Sequence, residues 1–156
     1  VVTALVEHRP EYEYKLVLGP DFSDWDELEA LEPAVRDEFE ILTNVTDMSE
    51  LMKWADIAVC SGGRTVYELA ATGTPAAVVT QNDRESERME VLAADGIIEF
   101  VGHGERTETS AVVDAVVDLA SDYDRRREMS DRGRELIDGN GIQRVIDIMN
   151  DVMYNE

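Results

Sequence analysis

Few side chains in this sequence stand where their types and spacing could do chemistry. The densest group lies in SGGRTVYELAATGTP, Ser61 to Pro75, where two glycines follow a short apolar run, Ile57–Cys60, and precede a helical pattern. Gly62 and Gly63 therefore fall on a strand-to-helix turn, where glycine lets the backbone approach a ligand closely and take positive φ. The free N–H groups at the start of the following helix, together with its dipole, make an anion site suited to a diphosphate. Ser61, Arg64 and Thr65 flank that turn, and Arg64 adds local positive charge. Glu68 lies about one helical turn beyond Thr65, where a carboxylate can accept two hydrogen bonds from the vicinal hydroxyls of a ribose. Two plainer readings compete: a simple tight turn for the glycines, and a surface Arg64–Glu68 ion pair worth only ~0.3–0.5 kcal/mol.

The remaining reactive side chains are sparse. Histidine occurs only at His8 and His103. His8 ends a helical stretch, and His103 sits in a Gly-His-Gly segment read as an exposed loop, so both are read as incidental. Cys60 lies in an apolar run and is read as a packed strand residue rather than a nucleophile. Two dispersed histidines and one cysteine give no metal-ligand spacing. The 35 carboxylates are too many to single out a catalytic pair, so the catalytic residues stay unassigned and no cofactor is implied.

The elements that position these residues follow from periodicity and punctuation. Five short β-prone runs, Lys15–Leu18, Ile41–Val45, Ile57–Cys60, Ala76–Thr80 and Ile97–Val101, alternate with helical patterns. An apolar stripe from Val1 to Val6 is closed by Pro10, and Asp24–Phe39 is broken by Pro33. Asp47–Ala55 opens with Asp47 and Glu50 in capping-box spacing. Thr65–Thr72 stops at Gly73 before Pro75, and Arg84–Ala94 stops at Asp95-Gly96. The last third is helical: Val112–Ala120, then Tyr123–Ile137, then an amphipathic stretch from Ile142 to Met153. Short apolar strands alternating with helices imply an α/β fold, a doubly wound parallel sheet covered on both faces. Such sheets bind ligands beyond the carboxyl ends of their strands.

Composition narrows the class. The 156 residues suit one domain, and 44% apolar residues suffice for a core. A formal net charge of −21 repels phosphate backbones and anionic lipid surfaces, which speaks against nucleic-acid and membrane binding. No apolar run reaches the ~18 residues of a transmembrane helix. A single cysteine fits a reducing, cytoplasmic setting. Lysine occurs only at Lys15 and Lys53. Abundant carboxylates with so little lysine resemble the surface of a protein from a high-salt cytoplasm, where a Debye length of ~3 Å at 1 M screens self-repulsion.

SGGRTVYELAATGTP, followed by QNDRESERMEVLAADG (Gln81–Gly96), resembles the C-terminal half of family-28 glycosyltransferases of the GT-B fold. KLVLGPDF (Lys15–Phe22), VTDMSELMKWADIAV (Val45–Val59) and DGNGIQRV (Asp138–Val145) resemble, more narrowly, spore-coat polysaccharide biosynthesis proteins and a UDP-sugar hydrolase of the pseudaminic acid pathway. The resemblance implies that residues 1–156 are the nucleotide-sugar-binding half of a two-domain enzyme of cell-envelope glycan synthesis, with a Rossmann-like sheet. It carries phosphate binding onto Gly62, Gly63, Arg64 and Thr65, ribose binding onto Glu68, and sugar recognition onto the Gln81–Arg88 segment. Within that segment Asp83 matches the peptidoglycan-pathway N-acetylglucosaminyltransferase, whereas Glu85 and Arg88 stand where it has glutamine and asparagine. Gln81 and Asn82 complete the expected sugar-facing set. The implied ligand is a UDP- or other NDP-sugar, and the acceptor and general base would come from an N-terminal domain. Hydrolysis of the nucleotide sugar, and a non-catalytic nucleotide-binding module, are the alternatives.

The resemblance also implies a gap. Relatives place a strand and a glycine-rich loop before the helix that here begins at Val1. In the 3-2-1-4-5-6 order that strand is central, between Lys15–Leu18 and Ile57–Cys60. The expectation is a truncated parent sequence, with the two flanking strands paired directly or the slot filled by a neighbouring chain, as in a homodimer.

Overall fold

Helix and strand signals alternate along the chain, and the computed structural model describes residues 1–31 and 33–154. The order is α1 (Val2–His8), β1 (Tyr14–Leu18), α2 (Trp25–Glu29), α3 (Pro33–Arg36), β2 (Phe39–Thr43), α4 (Met48–Trp54), β3 (Ala58–Ser61) and α5 (Thr65–Thr72). There follow β4 (Ala76–Thr80), α6 (Asp83–Ala94), β5 (Glu99–His103), a 3-10 turn at Gly104–Arg106, α7 (Thr109–Ser121), α8 (Tyr123–Leu136) and α9 (Gly141–Tyr154).

Local chemistry sets most of these bounds. Asp47 caps α4 by accepting the Glu50 N–H at 3.2 Å. Pro33 does not merely break the expected Asp24–Phe39 helix. It opens α3, because a first-turn position requires no N–H of it. Asn44, at φ 53°, ends β2, so Val45 falls outside the strand predicted for it. The fifth strand also begins later than predicted. At the end of α6, Gly96 takes φ +69°, and the Ile97 N–H returns to the Leu92 carbonyl at 3.0 Å. Ile97 thus completes the helix cap. Ile97 and Ile98 are buried in the core as a linker, and β5 starts at Glu99.

All strand pairs are parallel, as the α/β reading requires, but they form two sheets: β1–β2, and β3–β4–β5. Direct pairing of β1 with β3, one of the expected arrangements, does not occur among the described residues. The helices hold the two halves instead of a backbone ladder. Adjacent residues of α1 serve different cores: Leu5 packs with Ala77, Val113 and Leu119, whereas Val6 packs with Leu18, Leu28 and Phe39. With α1 wedged between both halves, β1 cannot close onto β3 without unpacking one core. Both strands that face the gap keep an exposed valine, Val17 at 38% and Val59 at 40%.

In the three-stranded half, β4 is covered on both faces, which explains its unbroken apolar sequence. Ala76 and Val78 face a core with Val66, Leu69 and Met89, while Ala77 faces Val113, Val116 and Met129. This is the rigid platform from which the turn after β3 projects.

Candidate functional site

The candidate site lies at the carboxyl edge of the β3–β4–β5 sheet. Strand β3 ends at Ser61, and α5 begins at Thr65, so Gly62, Gly63 and Arg64 make the whole turn. Both glycines are needed less for φ than their pairing suggests, since neither has positive φ. Gly62 is needed for space. A Cβ there would lie 2.7 Å from Thr80 Cγ2 and 3.0 Å from Glu85 Cβ, and Thr80 is fully buried. Gly63 is open, its nearest neighbour being Ser61 Oγ at 3.8 Å from an added Cβ.

The first turn of α5 is anchored from below by Val66 and Leu69, both buried. Its hydrogen bonds begin when Gly63 O accepts the Val66 N–H at 3.4 Å and Arg64 O accepts the Tyr67 N–H at 3.0 Å. Among the described residues, the N–H groups of Gly63, Arg64 and Thr65 find no intramolecular acceptor, and no side chain caps the helix. Three unspent donors at the positive end of a helix dipole are what a diphosphate requires. Arg64 is exposed at the rim, and Glu68 is exposed one turn further along the same side. Arg64 and Glu68 form no ion pair, although pairs at similar spacing do form on α4 and α8 (Lys53–Glu50 and Arg132–Glu128). The plain surface-pair reading of these two residues therefore loses its geometric support.

The Gln81–Arg88 segment forms the neighbouring wall. Asn82 caps α6 by accepting the Glu85 N–H at 3.0 Å. Glu85 Oε2 accepts the Gln81 N–H at 2.9 Å and stands directly behind Gly62. Thr80 Oγ1 lies 2.7 Å from Ser86 Oγ, which ties β4 to α6 from within. Asp83 pairs with Arg106 at 3.7 Å, linking this loop to the turn after β5. Arg88 lies one turn up α6, exposed, its Nε donating to Arg84 O at 3.1 Å. The structure thus gathers Gly62–Thr65, Gln81–Asp83 and Glu85 at one edge, and sets Arg88 further out.

Sequence reasoning set His103 aside as an exposed-loop residue; it is instead the last residue of β5 and partly buried. Its register partner is Thr80. The available signal was the glycine on either side of it at the end of a strand, which allows close backbone approach. His8 stays structural, its Nδ1 lying 2.8 Å from Ala4 O within α1. Burial pushes the Cys60 thiol up to about 12, which keeps it protonated and inert. Two concavities, of about 260 and 340 Å3, lie against α8, and neither is lined by Gly62–Thr65. Among the described residues no cluster of His, Cys, Asp or Glu is arranged to hold a metal ion, and no helix is long and apolar enough to cross a membrane.

Comparison with known proteins bears on the family and the fold. Residues 2–140 match the glycosyltransferase family 28 C-terminal domain. The spore coat polysaccharide biosynthesis protein SpsG of Bacillus subtilis is 30% identical over 119 residues, 76% of this chain and 35% of the relative. A UDP-N-acetylglucosamine--N-acetylmuramyl-(pentapeptide) pyrophosphoryl-undecaprenol N-acetylglucosamine transferase of Shewanella piezotolerans is 32% identical over 106 residues, 65% of this chain and 29% of the relative. The chain therefore spans about a third of the length of these curated relatives. Among solved structures, WaaG, a glycosyltransferase involved in lipopolysaccharide biosynthesis, superposes with a TM-score of 0.70 at 16% identity, covering 99% of this chain and 42% of that one. MurG of Acinetobacter baumannii gives 0.60 at 16% identity, covering 97% and 55%. At such identities the likeness shows the fold, a GT-B half.

Proposed function

The chain belongs to the glycosyltransferase family 28 C-terminal domains, and from that premise we propose that it binds a nucleotide sugar, with UDP as the nucleotide. The diphosphate sits on the free N–H groups of Gly63, Arg64 and Thr65, with the Arg64 guanidinium at its rim. Glu68 accepts hydrogen bonds from the ribose hydroxyls, and the sugar extends towards Gln81–Asp83. The observation that carries this reading is the set of three unspent N–H donors at the start of α5, one turn from an unpaired carboxylate. The relatives whose names include a UDP-sugar and a polysaccharide support UDP and envelope glycan synthesis.

The reaction is transfer of the glycosyl group from UDP to an acceptor held by a partner domain. This chain's share is to hold the leaving group: N–H donors and a helix N-terminus stabilise the negative charge that grows on the β-phosphate as the glycosidic bond breaks. Abstraction of the acceptor's proton belongs to the partner domain. A charge of −21 with only two lysines supports a cytoplasm of high salt, and the melting temperature should rise from dilute to molar KCl. A flat or falling response would contradict that habitat.

Calorimetry in molar KCl tests the site. The wild type should bind UDP, and Glu68→Ala should bind it about tenfold or more weakly, since hydrogen bonds to a charged group contribute ~1.5–3 kcal/mol. Equal affinities would remove the ribose assignment.

A further inference from the structure

We propose that His103 is a specificity-determining contact to the glycosyl group of the donor, hydrogen-bonding a sugar oxygen through Nε2–H; this rests on the nucleotide site proposed above. The first ground is register. Thr80 and His103 are paired across β4 and β5, and an added Cβ on Gly62 would touch Thr80 from the β3 side. The phosphate turn, the end of β4 and His103 therefore lie in one row at the carboxyl edge. Strands are about 4.8 Å apart, so His103 stands ~10 Å across from the turn, roughly a β-phosphate plus one pyranose away.

The second ground is that the residue is held in place with a donor unspent. His103 Nδ1 accepts the Glu105 N–H at 3.3 Å, which leaves the proton of the neutral ring on Nε2. Among the described residues Nε2 has no partner. The backbone beneath is fixed too: Thr107 Oγ1 donates to His103 O at 2.8 Å. Gly102 takes φ +142°, where a side chain would be strained and would also strike Thr107 Oγ1 at 2.6 Å. Gly104 passes so close to β4 that an added Cβ would lie 3.3 Å from Thr80 O. Gly102 is thus required at the end of β5, Gly104 runs tightly against the end of β4, and His103 is the side chain between them.

The third ground is chemical complementarity. The carboxylates of this corner, Glu105 beside His103 and Asp83 paired to the adjoining turn, can only accept hydrogen bonds from sugar hydroxyls when ionised. Arg106, which could donate, is paired with Asp83. A neutral imidazole N–H adds, beside the side-chain amides of Gln81 and Asn82, a donor to a hydroxyl or N-acyl oxygen of the sugar.

The test is calorimetry in molar KCl with UDP, UDP-glucose and UDP-N-acetylglucosamine on the wild type, His103→Ala and His103→Gln. The UDP-sugar that the wild type binds more tightly than UDP is the reporter. Its affinity should fall about threefold to tenfold in His103→Ala, as for one neutral hydrogen bond. It should recover in part in His103→Gln, whose amide places a donor near the position of Nε2. UDP itself should bind all three proteins within about twofold. Equal loss for UDP and UDP-sugar would assign His103 to the scaffold of the turn and overturn the proposal, as would no loss at all. If neither sugar adds affinity over UDP in the wild type, no sugar contact exists and the proposal falls alone. If the wild type does not bind UDP, the nucleotide reading falls and this inference with it.

Discussion

Two helices of 14 residues each, α8 and α9, follow one another at the end of the chain and behave in opposite ways. The sequence of α8, YDRRREMSDRGREL, is mostly charged, yet it is docked. Met129 is buried, and Gly133 meets α5 so closely that an added Cβ would lie 2.9 Å from Ala70 O. Its arginines reach the ends of three other helices. Arg126 donates to Leu119 O and Ala120 O at 2.6 Å each, Arg132 to Asp95 O at 3.2 Å, and Arg134 to Thr72 O at 3.1 Å. Each guanidinium meets carbonyls at the end of a helix, of which Leu119 O also accepts the Asp122 N–H, and it opposes the negative end of the dipole. By contrast, α9 has the cleaner apolar stripe and, among the residues whose burial is described, no buried one: Ile142 is 79% exposed and Ile146 43%. Apolar periodicity states what a helix is able to bury. Whether a matching surface exists is a property of the rest of the fold, and a charged helix docks where its arginines reach carbonyls at the ends of neighbouring helices.

The largest break in this comparison should come from Gly133→Val. The obstruction is backbone, Ala70 O, so α5 and α8 must part, at a cost of about 1–3 kcal/mol. Chemical denaturation in molar KCl reads it directly, and unchanged stability would mean that the two helices are not in contact. A smaller effect belongs to Gly73→Ala. Gly73 sits at φ +77° beneath the Arg134 guanidinium, and the left-handed conformation alone costs an alanine ~1–2 kcal/mol. Adding Arg134→Ala should relieve the crowding but not the backbone strain, so the double variant should remain less stable than Arg134→Ala alone. Full additivity of the two changes would argue that the guanidinium does not cover the glycine.

The smallest effect should be on the link into α9, and it should depend on pH where the contact from Arg134 to Thr72 does not. The Arg144 guanidinium bonded to Asp138, then the Asn140 N–H, holds the Asp138 carboxyl below the usual carboxylate range. A carboxyl whose folded value is depressed contributes its stabilisation fully above the unfolded value, about 3.9, and loses it as pH falls through the folded one. Amide protection from Asn140 to Val145 should therefore hold from pH 7 to about 5 and fade below about 4. In Asp138→Asn it should be weaker and flat. The cap from Arg134 to the Thr72 carbonyl holds no carboxylate, so amides near Thr72 should not follow.

What the sequence made legible was local. The bounds of α5 and β4 could be read to the residue, because Gly73 and Pro75 punctuate them. The turn at Gly62 was also legible, though its physical reason, a close approach to Thr80 and Glu85, needed the fold. The start of β5 was misjudged because Ile97 is apolar for the core and serves a helix cap. His103 was set aside because only the β4–β5 register reveals that it shares a row with Thr80. Two of the arginine caps had no local signature, since Arg134 and Thr72 are 62 residues apart and Arg132 and Asp95 are 37. The separation of β1 from β3 depends on where α1 packs, which no short-range pattern encodes.

The most direct test of the central claim is to watch the N–H groups of Gly63, Arg64 and Thr65 as UDP is added. In 15N-edited spectra in molar KCl, these three amides should show the largest saturable shifts, with Glu68 following. Shifts that bypass the start of α5, or that gather on the α8 concavities, would contradict the account.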